Sequence, residues 1–175
     1  MSQITIQNLH FTYEGDHTPV FEGLDLQLDT NWKLGLVGRN GRGKTTLLRL
    51  LAGELEGRGN VALSQPCLRW PRPVNNPGRR AMDILLEGVP PEEEWRLSWE
   101  LSKLGLGEEV LERPFSTLSG GEQTRALFLD EGAYPMIDEP TNHLDEPGRE
   151  LVSDYLRRLD RGFLLVSHDR AFLDG

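Results

Sequence analysis

The sequence predicts an α/β domain with a parallel sheet, and three observations carry that expectation. Short apolar runs alternate with stretches of helical periodicity. One such run, Leu34-Gly35-Leu36-Val37, reads as a buried strand and passes directly into a glycine-rich loop and then a helix, and another, Phe163-Leu164-Leu165-Val166, reads as a buried strand as well. Apolar strands alternating with helices are the pattern of strand–helix–strand crossovers. A length of 175 residues suits one globular domain (1–175) able to bury a core. With 37% hydrophobic and 27% charged residues, wholesale disorder is excluded. The balance of 19 Lys plus Arg against 28 Asp plus Glu leaves a net charge of −9, which argues against non-specific DNA binding by the whole surface. No apolar run approaches the ~20 residues that span a bilayer. The opening MSQITIQNLHFTY lacks the basic and apolar regions of a signal peptide. A single cysteine, Cys67, rules out an intramolecular disulfide and fits a reducing cytosol. These readings converge on a cytoplasmic protein that does not insert into the membrane.

In chain order, Ile4, Ile6 and Leu9 stand among polar Thr5, Gln7 and Asn8, a strand followed by a turn-rich stretch from Glu14 to Pro19. Leu24, Leu26 and Leu28 alternate with Asp25 and Gln27, so an antiparallel β-layer is expected at the start. After the strand at 34–37 and its loop, Leu47, Leu48 and Leu51 recur at helical spacing until Gly53, a C-cap. A strand is expected around Val61 and Leu63. Residues 66–80 hold four prolines and four arginines without an acid, so this stretch should be extended or turned. Residues 81–112 look helical, with Leu97, Leu101 and Leu104 at i, i+4, i+7 and Glu92–Glu94 near the helix start, where the dipole favours acids. Ser119-Gly120-Gly121-Glu122 opens another helix. The apolar run from Ala133 to Ile137 ends in Asp138-Glu139, and Pro147 opens a helix striped by Leu151, Val152, Tyr155, Leu156 and Leu159.

Gly38 to Thr45 satisfies G-x-x-x-x-G-K-[ST] at every fixed position, between a strand and a helix. Glycines let the backbone wrap a polyphosphate with its amides pointing inward, and the following helix adds its positive end. Lys44 is placed to neutralise β- and γ-phosphates, and the Thr45 hydroxyl to ligate Mg²⁺. Asp138 follows a short apolar strand, as a carboxylate that holds Mg²⁺ through water would. Adjacent Glu139 can orient or deprotonate an attacking water.

Four motifs, GRNGRGKTT (38–46), LSGGE (118–122), IDEPTNHLD (137–145) and SHD (167–169), make the chain resemble the ATP-binding-cassette (ABC) ATPases over essentially its whole length. LSGGE separates that family from other P-loop proteins. DEPTNHLD resembles the ABC-F subfamily, whose members carry two cassettes and act on ribosomes, and WKLGLVGRNGRGKTTLL (32–48) looks most like its antibiotic-resistance members. The resemblance implies a P-loop NTPase fold of the ABC nucleotide-binding type. It has a mixed or parallel core sheet, an N-terminal antiparallel β-layer and an inserted helical subdomain over about 81–125. It implies ATP and Mg²⁺ held by Gly38, Arg39, Asn40, Gly41, Arg42, Gly43, Lys44, Thr45 and Thr46, with Asp138 at the metal. Tyr13 matches the aromatic that stacks on adenine, with a plain strand tyrosine as the other reading. Gln65 matches the glutamine that approaches Mg²⁺ and γ-phosphate, with a plain loop glutamine equally open. His168 matches the switch histidine beside the catalytic Glu139, and His143 a structural loop position. Ser119, Gly120, Gly121 and Glu122 match the signature that binds ATP held by the opposite cassette. A second cassette is therefore an implied partner, from the same polypeptide or a dimer, with the ribosome and its rRNA as implied targets.

Three departures from the family pattern stand out. The chain stops at Gly175, seven residues past His168, with no second cassette, which reads as a fragment or a truncated gene product. Ser119 and Asp138 are 19 positions apart, about four fewer than the resemblance suggests, a loss of ~6 Å of helix. Pro135 lies inside the strand leading to Asp138, where a central strand needs the missing N–H unless the proline stands first. These departures favour binding over catalysis and keep open a weakly catalytic remnant, alongside an ABC transporter subunit. The arginines at 66–80 read either as an rRNA contact or, more in keeping with the prolines, as a solvated connector. Trp95 and Trp99 read as packing for the helical subdomain, Cys67 as an inert small residue, and His10 and His17 as surface or turn residues.

Overall fold

The computed structural model describes residues 3–39, 41–71, 74–87, 89–127 and 133–168. Two compact units emerge, one from Met1–Trp70, Gly132–Glu139 and Asp160–Leu173, the other from Pro71–Glu131 and Pro140–Leu159 with the last two residues.

The first unit contains β1 (Gln3–Phe11), β2 (Phe21–Asp29), β3 (Lys33–Leu36), α1 (Lys44–Leu51), β4 (Arg58–Leu63), β5 (Cys67–Trp70), β6 (Tyr134–Asp138) and β7 (Phe163–Val166). The expected β-layer is an antiparallel sheet of order β2-β1-β4. Ile4 and Ile6 face inward by simple alternation, but Leu9 is three residues further on. A register shift between Ile6 and Leu9, with Asn8 at φ 51°, returns Leu9 and Phe11 to the buried face. Opposite this bulge Gly59 takes φ 128°, and a Cβ there would lie 2.5 Å from the Asn8 carbonyl oxygen.

All four strands of the second sheet run parallel in the order β3-β7-β6-β5, as the fold class requires. β7 is buried at every position and β6 at its first four, so both read as unbroken apolar runs, whereas β3, expected to be buried, is an edge strand with Leu34 and Leu36 only half-buried and Val37 after it exposed. Pro135 is the second residue of β6, a central strand, yet costs no ladder bond. The Tyr134 N–H donates to the Pro66 carbonyl on the β5 side at 2.8 Å. Alternation then turns the Pro135 nitrogen toward β7, where pairing begins only at Met136.

α1 buries Leu47, Leu48, Leu50 and Leu51 against the core and closes as expected at Gly53. The Glu54 N–H reaches the Arg49 carbonyl (2.8 Å) and the Gly53 N–H the Leu50 carbonyl (3.2 Å), a Schellman motif that needs the positive φ of Gly53. The stretch 66–80 includes an extended segment, as expected, but is no solvated connector. Its residues 67–70 form β5, a full member of the parallel sheet, and the described arginines are not free cations. Arg69 pairs with Glu54, Arg79 with Glu87, and Arg80 with Asp83 and Glu112. The hydrogen bond from Arg80 holds the Asp83 carboxyl below its usual range. Arg72 lies outside the described residues.

The second unit contains α2 (Ala81–Leu85), α3 (Glu94–Lys103), α4 (Glu108–Leu111), α5 (Gly120–Ala126) and α6 (Glu146–Arg158), so it begins earlier than the helical subdomain expected over 81–125 and takes in α6 as well. The helical stretch expected over 81–112 is broken into α2, a single 3₁₀ turn at Pro91–Glu93, α3 and α4. Pro90 cannot extend a helix, and Gly105 ends α3 at φ 71° with the Leu106 N–H on the Leu101 carbonyl at 3.0 Å. Leu97, Leu101 and Leu104 are buried as the stripe predicted. Trp95 and Trp99 are not packing residues: they are 69% and 54% exposed. Two residues along a helix is a turn of ~200°, which sets them opposite the buried leucines. Lys103 Nζ instead sits 3.1 Å above the Trp99 ring. α6 starts at an Asp145 cap that accepts the Gly148 N–H at 3.0 Å, with Pro147 in the first turn.

Candidate active site

The parallel sheet assembles the site. β3 leads into the loop from Gly38, which ends in Gly43 at φ 84°, where a Cβ would meet Val20 at 2.7 Å and Phe21 at 3.0 Å. No residue but glycine fits that corner. Lys44 opens α1 and reaches back across the loop, donating through Nζ to the carbonyls of Gly38 (2.6 Å) and Arg39 (3.1 Å). The backbone ring is thereby pinned with a cation at its centre. Arg39 and Arg42 lie exposed on the loop, and Asn40 lies outside the described residues.

A cavity of about 500 Å³ opens beside the loop, lined by Tyr13, Gly41, Gly43, Lys44, Thr45, Thr46, Asp138, Glu139 and His168, together with Asp16, Val20 and Val166. Nine sequence-predicted residues are thus gathered in one place. The Tyr13 hydroxyl is 3.0 Å from Thr46 Oγ1, and Phe11 packs edge-on at 4.9 Å, so the tyrosine ring is held at the cavity wall. β6 and β7 end side by side and deliver the acids and the histidine. Asp138 closes β6, and the Glu139 N–H donates to the Val166 carbonyl at 2.8 Å. Glu139 adopts φ 50°, a strained conformation for a residue with a side chain.

Two carboxylate oxygens in this cavity, Asp138 Oδ1 and Glu139 Oε1, are buried and find no hydrogen-bond partner among the described residues. His168 Nε2 lies 2.9 Å from Glu139 Oε1 but without the alignment of a hydrogen bond, while the His168 backbone N–H donates to Oε2 at 3.3 Å. A buried, unpartnered carboxylate oxygen beside a loop threonine suits a hydrated divalent cation. Thr45 and Asp138 therefore fit Mg²⁺, and the ring around Lys44 fits a polyphosphate.

Gln65 is not brought to the site. It precedes β5 at the end where Cys67 pairs with Tyr134, whereas Asp138 stands at the other end of β6. A parallel strand carries its site at its carboxyl edge, so a residue at the amino edge cannot share a metal with Asp138. The resemblance that points to Gln65 does not fix its place relative to β5, which has no periodicity of its own in the sequence. The same strand brings in Arg69, one of the four arginines of 66–80, whose Nη1 is 3.9 Å from Asp138 Oδ2.

In the second unit, Ser119 caps α5 through a reciprocal capping box. Its hydroxyl accepts from the Glu122 N–H (3.2 Å) and its own N–H donates to Glu122 Oε2 (2.7 Å). Gly120 and Gly121 form the first turn of that helix. Residues 128–132, in the shortened stretch between signature and β6, lie outside the described residues, as does Asp169.

A family profile described as ABC transporter matches residues 21–142. Among curated relatives, an ABC transporter F family member 2 of Arabidopsis thaliana is 31% identical over 98% of this chain and 27% of its own length. The ATP-binding protein Uup of Caulobacter vibrioides is 35% identical over 89% of this chain and 26% of its own. The chain thus spans about a quarter of the length of these relatives. A bacterial Atm1-family ABC exporter solved with ATP bound superposes with a TM-score of 0.81 over 98% of this chain and 35% of its own, at 16% identity, a likeness of fold. No described helix is long and apolar enough to cross a membrane. With the nucleotide loop, the signature helix and the paired acids all within or beside the matched span, the chain belongs to the ATP-binding-cassette family.

Proposed function

We propose that the chain binds MgATP in the cavity between Tyr13 and His168 and hydrolyses it as half of a pair of cassettes, in a cytoplasmic ABC-F protein acting on the ribosome. The observation that carries the binding reading is the gathering of Lys44, Thr45, Asp138, Glu139 and His168 on one cavity with two orphaned acid oxygens. Tyr13 offers a partly exposed ring for the base, and the loop amides with Lys44 take the phosphates. Bound Mg²⁺, held through Thr45 and Asp138, would supply positive charge at the phosphate oxygens. Glu139 Oε1, which accepts no hydrogen bond among the described residues while Oε2 accepts from the His168 backbone N–H, would take the proton of an attacking water. His168, on the same cavity, would meet the terminal phosphate. Pairing is supported by the signature residues Ser119, Gly120, Gly121 and Glu122, whose family role is toward ATP on a second cassette. The ribosome reading is supported by DEPTNHLD and by the F-family names of relatives.

Binding of a fluorescent ATP analogue with Mg²⁺ tests the core of this reading. Removing a charged phosphate contact costs ~1.5–3 kcal/mol, so Lys44→Ala should weaken binding by tenfold or more. Glu139→Gln should bind as well as wild type and release no phosphate. Binding that ignores Lys44 would refute the site, and equal phosphate release by wild type and Glu139→Gln would refute catalysis by Glu139. Co-sedimentation with ribosomes in the presence of ATP tests the target.

A further inference from the structure

The metal side of the cavity carries a charge that the nucleotide reading does not use. Cys67 and Arg69 of β5 and Met136 and Asp138 of β6 point to one face, because side chains alternate and the strands pair Cys67 with Tyr134 and Arg69 with Met136. The result is an arginine beside the acid, with Arg69 Nη1 3.9 Å from Asp138 Oδ2. Neither group is free to leave: the two side chains are 17% and 9% exposed. The guanidinium is also clamped from behind. Its Nε and Nη2 donate to the two oxygens of Glu54 at 3.0 and 3.2 Å, a bidentate pair. Glu54 is itself set in place by the Schellman turn that ends α1, and Arg49 Nε holds it at 3.3 Å. Arg69 thus faces Oδ2 of Asp138 and leaves Oδ1 without a hydrogen-bond partner among the described residues.

Resting on the nucleotide reading above, we propose that Arg69 is a positioning residue and built-in counter-charge for Asp138, which makes nucleotide binding less dependent on a divalent cation. Asp138 and Glu139 are neighbouring acids, and without a cation they repel a triphosphate. An arginine fixed within 4 Å of one of them removes part of that repulsion permanently. The same charge competes with a metal for Asp138. Loss of the guanidinium should therefore act in opposite senses, weakening binding in EDTA and tightening the grip on metal. Glu54 shares the charge, so the effect should be about tenfold, equivalent to about 1.4 kcal/mol.

The test is the ratio of fluorescent ATP-analogue Kd in EDTA to Kd in saturating Mg²⁺, with Mn²⁺ affinity of the nucleotide complex read separately by electron paramagnetic resonance. Arg69→Met should raise the ratio about tenfold and tighten Mn²⁺. Arg69→Lys, which keeps the charge, should stay near wild type. Glu54→Gln, which releases Arg69 toward Asp138, should lower the ratio. An unchanged ratio in Arg69→Met, or a lysine variant that behaves like the methionine one, overturns the proposal. If Arg69→Met does not fold, an unchanged or raised ratio in Glu54→Gln overturns it. Failure of the wild type to bind with Mg²⁺ would instead refute the nucleotide site itself.

Discussion

Gly162→Ala should destabilise the protein by about 3 kcal/mol, although the position is a single residue before β7 and touches no predicted ligand. A Cβ at Gly162 would lie 2.3 Å from the Trp32 carbonyl oxygen, 2.4 Å from that of Thr30 and 2.6 Å from the Asn31 carbonyl carbon. All three are backbone atoms, so no side chain can swing aside. The turn they belong to is pinned by Trp32 N–H on the Asp29 carbonyl (3.0 Å) and Asn31 N–H on Asp29 Oδ1 (2.9 Å). Relief to an ordinary contact needs ~1 Å of movement between this turn and the start of β7. That movement breaks the 3.0 Å bond from the Phe163 N–H to the Trp32 carbonyl. Overpacking costs ~1–3 kcal/mol and the lost hydrogen bond ~1 kcal/mol. For a chain of this size each kcal/mol lowers Tm by ~2–4 °C, so a fall of about 6–12 °C is expected in a thermal melt. Because β3 and β7 lead to the nucleotide loop and to His168, analogue binding should weaken in parallel. Gly78→Ala is the control: its Cβ would meet only Asn76 Oδ1 at 3.9 Å. A Gly162→Ala melt within 2 °C of wild type, or indistinguishable from Gly78→Ala, would refute the steric argument.

Tyr134→Phe should be neutral or stabilising by up to about 1 kcal/mol, since the fully buried hydroxyl finds no hydrogen-bond partner among the described residues; a lower urea midpoint would count against this. Burial pushes the Cys67 thiol up from 9.0 to about 11. The neutral thiol is favoured in the fold, so its contribution is complete below pH 9 and is lost as pH rises through about 11, a difference of about 3 kcal/mol. Cys67→Ala should accordingly flatten the alkaline loss of stability, and parallel urea-midpoint curves for both proteins between pH 9 and 10.5 would refute it. Trp95→Ala and Trp99→Ala should each change stability by less than about 1 kcal/mol, because both rings face solvent; a cost near that of Leu101→Ala would show that they pack.

Much of the candidate site was legible because it is written in local backbone demands. Gly43 needs a left-handed corner, Lys44 and Thr45 follow it on the first turn of α1, and Asp138-Glu139 terminates an apolar run, so spacing alone placed them. The signature serine was equally local, its partner Glu122 being three residues on. β5 escaped because Cys67-Leu68-Arg69-Trp70 is short, lies between prolines and has no period of its own. Its strand character comes only from pairing with β6. Only that pairing sets Gln65 at the amino edge of the sheet and Arg69 beside Asp138. Trp95 and Trp99 misled for a related reason: spacing of i, i+4 says that two side chains share a face, and not which face is buried.

The class of fold, the phosphate-loop motif, the acid pair and the capped signature helix are legible along the chain, since each follows from residues close together in it. That Pro135 does no harm, that Gln65 stands at the wrong edge of the sheet and that Arg69 faces Asp138 emerge only once the strands are assembled. The physical reason is common to all three. In a parallel sheet, register and strand order are set by burial of whole apolar strands joined through long crossovers. The charges those strands carry to the site are brought together by that burial and leave no pattern along the chain.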